Sequence, residues 1–177
     1  GTNFTDSLLV GHATTGTLST AIQNTGIGID AMDALTSGDY NTAVGFSALT
    51  GLGYGSYNAA IGNLALAAVV GGGANTAVGS NALQNVISGN DNTGVGYLAL
   101  GNCSGDSNIV LGARSGDNIT SGDSNVVIGR ADVASATGDK QLKISDGGDG
   151  SIVWIDGDSS GNLTFAGALQ VSGAVTV

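Results

Sequence analysis

The sequence has no proline and no glutamate; all 14 of its acidic residues are aspartate. It has four lysines and arginines, one histidine and one cysteine. Each scarcity excludes something. Glutamate and lysine favour helix, glycine disfavours it, and aspartate prefers turns and caps, so a chain with 32 glycines points to strands and tight turns. The four cations, Arg114, Arg130, Lys140 and Lys143, are scattered in a chain of net charge -10, which excludes a basic surface for nucleic acid or an anionic membrane. A single cysteine, Cys103, excludes an intrachain disulfide, and its alignment with leucines and valines reads as a small core residue. No apolar run is long enough for a membrane-spanning helix, so neither membrane insertion nor a leader is expected. Because the chain begins with glycine and stops inside an apolar alternation, a processed product or fragment is expected.

What the chain has is a repeat. Asn41-Thr42-Ala43-Val44-Gly45 returns in altered form, with first positions at 7, 24, 41, 58, 75, 92, 108 and 125. Successive first positions differ by 17, except for a single step of 16 between 92 and 108. The recurring residues are Asn24, Asn41, Asn58, Asn75, Asn92, Asn108 and Asn125, and Gly28, Gly45, Gly62, Gly79, Gly96, Gly112 and Gly129. A fixed short period signals a solenoid, in which one supersecondary unit stacks on the next.

Counted from each motif glycine, alanine recurs three residues on (Ala48, Ala65, Ala82) and leucine four on (Leu49, Leu66, Leu83). Seven on come Leu52, Val69, Val86 and Cys103. The pentapeptide reads as a strand ending in glycine, with Val44 pointing into its own coil. Ala43 and Gly45 then read as small because another chain lies against them. The second half of each unit is expected to be another short strand; a single helical turn is the alternative. Stacked at about 4.8 Å, eight rungs make a rod of about 40 Å. The asparagines would form a ladder at one corner, tolerating the left-handed backbone of a corner. Each rung has only about three sizeable apolar side chains to set against its chain entropy, so a further interface through self-association is expected.

The repeat fades after Gly129. Residues 1–138 are expected to form the solenoid, and 139–177 a separate β-rich module. In the latter, Gln141 to Ile144 and Ser151 to Ile155 read as strands joined by the turn 146–150, followed by alternation through Leu163, Phe165, Leu169, Val171, Val175 and Val177.

Asn41 to Leu49 and Asn75 to Leu83, each led by a Ser-Gly or Gly-Gly turn, resemble repeats of two related groups. One is the YadA-like head of trimeric autotransporter adhesins; the other is the shaft of bacteriophage tail fibres. The resemblance covers residues 1–138 and implies a β-roll homotrimer. The 17-residue unit is longer than that of the autotransporter head. Lys140 to Ile144 and Asp158 to Thr164 look more like phage fibre sequence. A non-enzymatic virion tail-fibre segment is therefore expected, contacting other fibre or virion proteins and a host receptor or glycan. A bacterial trimeric adhesin or extracellular filament is the alternative.

Candidate chemistry is sparse. His12 has no cysteine or glutamate near it in sequence, and a surface or cap role is expected. The Gly-x-Gly pairs are repeat glycines without a following helix, not a dinucleotide fingerprint. Asp156, Asp158 and Ser160, followed by Gly161, copy the first half of a calcium loop but lack its later glutamate, and a plain turn fits them better. Asp106 and Asp123 would stack on adjacent rungs, their repulsion relieved by solvent or a cation. Tyr40, Phe46, Tyr54, Tyr57 and Tyr97 fall near corners, suited to stapling neighbouring chains or stacking on sugars. Thr25, Thr42, Thr76 and Thr93 form a partial ladder that raises ice binding, but Ala59, Ile109 and Val126 in the same column read as a buried face.

Overall fold

The computed structural model describes residues 7–11, 20–146, 148, 150 and 152–167. The expectations for His12, Leu169, Val171, Val175 and Val177 lie outside the described residues. The strands are β1 (Leu8–Val10), β2 (Thr25–Ile27), β3 (Thr42–Val44), β4 (Ala59–Ile61), β5 (Thr76–Val78), β6 (Thr93–Val95), β7 (Ile109–Leu111), β8 (Val126–Ile128), β9 (Leu142–Ser145), β10 (Val153–Gly157) and β11 (Leu163–Phe165). They form one sheet in sequence order. From β1 to β9 each strand pairs in parallel with the next, Thr25 beside Thr42 and Thr42 beside Ala59. A parallel pair needs a crossover, and here the rest of each repeat supplies it as one turn of a coil. The chain is thus a β-solenoid of about eight turns, as the period implies, with no helix among the described residues.

Strands β1 to β8 are each three residues long, and their orientation reverses the expectation for Val44. The middle residue faces the coil interior: Ala43, Ala60, Ala77, Val110 and Val127 are fully buried. The flanking residues face outward, and at Val44's position Ile61 is 46% exposed. The reason is volume. Leu49 and Leu52, both fully buried, fill the coil beneath the strand and leave room only for a methyl group or less. Sequence swaps follow that limit. Where Gly116 replaces the leucine, Val110 replaces the alanine, and a Cβ on Gly116 would stand 3.0 Å from Val110 Cγ2. Ala43 is therefore small because of its own chain.

The second half of each turn is neither strand nor helix. Ala48, Leu49 and Leu52 all point inward, which alternation along a strand cannot achieve. The backbone instead enters the left-handed region at Ser47 (φ 52°) and Leu49 (φ 53°), repeated at Asn81 and Leu83. Within the turn Ala48 N–H donates to Gly45 O and Leu52 N–H to Leu49 O. Between turns Ser47 N–H donates backward to Ile29 O, and Leu49 N–H forward to Ala65 O. The turn is tight because its own amides curl it, and it stacks because its remaining amides reach both neighbours. Left-handed leucine is unfavourable by about 1–2 kcal/mol, so burial of these side chains must outweigh it.

Gly45 shows why the strand ends in glycine. Its φ is 137°, and a Cβ there would stand 2.5 Å from the carbonyl oxygen of Gly62 in the next turn. Rung stacking, not a second chain, sets that residue's size.

The sheet does not stop at residue 139. β9 continues the parallel stack, with Val127 opposite Lys143. β10 and β11 then fold back antiparallel as a terminal hairpin.

Candidate functional site

The corner asparagines form the most elaborate polar feature, and all are buried. Asn41 N–H donates to Oδ1 of Asn24 at 2.8 Å. Its side-chain amide donates to the same oxygen at 3.0 Å and to the carbonyl of Gly55 at 2.9 Å. The last bond ties the start of a coil turn to its end. Oδ1 of Asn41 accepts from both the N–H and the amide of Asn58. Both amide hydrogens and both lone pairs are therefore used, the full capacity of the side chain. The rung-to-rung ladder is as expected. The left-handed corner is not at asparagine but one residue earlier, at Tyr40, Tyr57, Ala74 and Asp91 (φ 56–62°). Asparagine itself stays out of the left-handed region and leads directly into the strand.

Two members lie beyond the asparagines. Ser7 Oγ accepts from Asn24 N–H at the first rung. Gln141 N–H and Nε2 donate to Asn125 Oδ1 at the last, and Nε2 also reaches the Ser135 and Gly138 carbonyls. The signal for Gln141 is its place one turn after Asn125, ahead of Leu-Lys-Ile-Ser in strand register.

Cys103 is buried, as read, but does more than fill space. It lies in the turn one residue short, and its sulfur accepts from Gly105 N–H at 3.2 Å and from the Asn108 amide at 3.4 Å. Burial first, and then the charges of Asp123 and Asp106, raise its pKa against the lowering effect of the Gly105 bond, which leaves a poor nucleophile.

A second ladder runs outside the first. Asp106 Oδ1 accepts from Asn90 N–H, Asp123 Oδ1 from Asp106 N–H and Asp139 Oδ1 from Asp123 N–H, at 2.7, 2.8 and 2.9 Å. These aspartates are exposed, so backbone amides and solvent together offset their repulsion.

Asp156 and Asp158 each have their own partners within the chain. Asp156 forms an ion pair with Lys143 across the sheet. Asp158 accepts from the N–H of Ser160 at 2.9 Å and of Asn162 at 3.0 Å, and from the Asn162 amide at 2.8 Å. These bonds, led by the Asn162 side chain, hold its carboxyl below the ordinary value. That is the geometry of an Asp-headed turn. No group of three or more His, Cys, Asp or Glu suited to a metal forms among the described residues.

Two clefts remain. One of about 380 Å³ lies between the last coil turn and the hairpin, lined by Ser135, Gln141, Asp158, Asn162 and Thr164 among others. The other, about 330 Å³, is bordered by Arg114, Asp117, Arg130 and Asp132. Asp132 is exposed as a residue, but desolvation of its carboxyl and the facing Asp117 raise its pKa.

Of the aromatics, Tyr40 and Tyr57 stack in adjacent turns with ring centroids 5.0 Å apart and planes 5° from parallel. Arg114 lies over the Tyr97 ring at 5.7 Å. Phe46 and Tyr54 are 50% and 65% exposed. The threonine column is not buried within the chain; Ile109, which shares it, is 43% exposed.

Comparison with family models, with curated proteins and with solved structures found no match to this chain.

Proposed function

We propose that this chain is a structural segment of a fibre, a homotrimeric rod that belongs to a phage tail fibre and projects toward the host cell surface. It works by reach and rigidity, not by catalysis. Other fibre and virion proteins adjoin it, and a receptor or glycan is its target. The observation that carries this reading is the uninterrupted stack: nine parallel strands in register, pinned by one buried amide ladder from Ser7 to Gln141. Such a body is quasi-one-dimensional and suits a spacer. The homotrimer and the virion setting rest on the resemblance of the Asn-Thr-Ala-Val-Gly repeats to fibre shafts.

Immunogold electron microscopy with antibody to residues 24–145 tests it. Gold along virion tail fibres is the expected result. Gold on the bacterial envelope would assign the chain to a surface adhesin or filament, and gold on neither would overturn both readings.

A further inference from the structure

The outer face of the sheet carries two columns of side chains from β2 to β11. One begins at Thr25 and ends at Leu163; the other begins at Ile27 and ends at Phe165. Neither column contains a charged residue in a chain of net charge -10. The inner column behaves differently where the coil stops covering it. It runs Ala43, Ala60, Ala77, then Val110 and Val127, all buried. Over β9, β10 and β11 it becomes Lys143, Asp156 and Thr164, which pair directly across the strands. Once that face meets water, its residues turn polar and ionic. The outer face is never charged: its first column carries Thr25, Thr42, Thr76 and Thr93 in the early turns, and over the last three strands the face reads Leu142 and Ile144, then Gly157 and Ile155, then Leu163 and Phe165.

We infer that this outer face, along the whole sheet, is where a second copy of this chain packs. The ten strands β2 to β11 at about 4.8 Å and three residues of width make a face of about 50 by 10 Å. Its ~500 Å² in projection, part of it threonine, is a large part of the ~800 Å² per partner of a stable interface. The occupant must be uncharged, match an aliphatic column beside a threonine-rich one, and repeat at the rung spacing over that length. Another copy meets all three conditions by construction. The inference shares self-association with the fibre reading but specifies the contact face, which that reading does not.

Val95 on β6, the middle strand of eleven, lies close to its own counterpart whether copies run parallel or antiparallel. Sedimentation of the full chain should give a multiple of 17.1 kDa, and Val95→Asp should give 17.1 kDa with its β circular dichroism retained. If that variant fails to fold, Val95→Cys replaces it. A short bismaleimide should link copies through Cys at 95 and not through Asn85→Cys, on the exposed edge of the coil, while buried Cys103 stays unreacted. A wild-type monomer, including one that adsorbs to ice, overturns the inference. An oligomer that ignores Val95→Asp, or links at 85 and not at 95, also overturns it while leaving the fibre reading intact.

Discussion

Asn58 donates both its backbone N–H and its side-chain amide to Oδ1 of Asn41, at 2.9 and 3.1 Å, across one turn of the coil. The same amide closes its own turn on the Gly72 carbonyl at 2.9 Å, and its oxygen receives Asn75. One buried side chain thus fixes both the shape of a rung and its place on the next.

Asn58→Ala should therefore cost far more than a single hydrogen bond. It leaves the Gly72 carbonyl and the Asn75 amide without this partner in a buried corner, at about 1–3 kcal/mol for each group. We expect a loss of about 3 kcal/mol or more in urea unfolding of the whole chain. Asn58→Asp should be at least as damaging, because it removes the donors and buries a charge. A loss below about 1 kcal/mol would show that the ladder is incidental.

Adjacent residues on opposite faces should respond oppositely to enlargement. Ala77 is sealed inside the coil, so Ala77→Leu should lower stability by about 1–3 kcal/mol through overpacking. Val78→Leu, on the outer face, should leave the melting temperature of the monomeric Val95→Asp background within about 2 °C, the scale of a half-kilocalorie change. Equal effects at both positions would contradict the assigned orientation.

This pair also marks the limit of what the sequence disclosed. The period, the solenoid and the amide ladder were all legible, because a polar residue repeated at fixed spacing has few other uses. The facing of Ala43 and Val44 was not, since small residues fit a tight core and a tight interface equally well. The exchange of Ala43 with Leu49 for Val110 with Gly116 carried the answer: two positions whose sizes trade off share one space. The second half of the repeat was misread because Leu49 in a left-handed conformation has no propensity signal; stacking imposes it. Gln141 was missed because it closes a turn one residue short and substitutes a longer amide. The spacing of Asp156, Asp158 and Ser160 suits a plain turn better than a calcium loop; in the fold Asp158 heads a turn and Asp156 pairs with Lys143 across β9 and β10.

Glycine should be required where rungs touch and dispensable where they do not. Gly45→Ala places a Cβ 2.5 Å from the Gly62 carbonyl oxygen, with φ at 137°. We expect it to open the neighbouring rungs, seen as faster amide exchange at Gly62 and Val44. Gly161, with φ 83° and nothing within 4 Å of its Cβ position, should tolerate alanine at about 1 kcal/mol of backbone strain.

The paired carboxylates Asp117 and Asp132 predict a pH dependence. The folded pKa of Asp132 is raised, by desolvation first and by Asp117 second, so the fold favours its protonated form. Stability from this group is complete below the unfolded aspartate pKa of about 3.9 and falls as pH rises through the folded value. Asp132→Asn should thus raise the melting temperature at pH 7, with the gain shrinking below pH ~4. A gain that persists unchanged at low pH would exclude the charge as its cause.

Beneath all of these lies one claim: each turn of the coil advances the chain by one strand spacing. Ala34 and Asn102 are exposed at the same position of turns four steps apart. Spin labels on cysteines at these two sites, diluted with unlabelled chain, should report a separation of about 19 Å by pulsed dipolar spectroscopy, four spacings of about 4.8 Å. A distribution centred beyond about 30 Å, more than six such spacings, would mean that the turns do not stack in register, and would contradict the account.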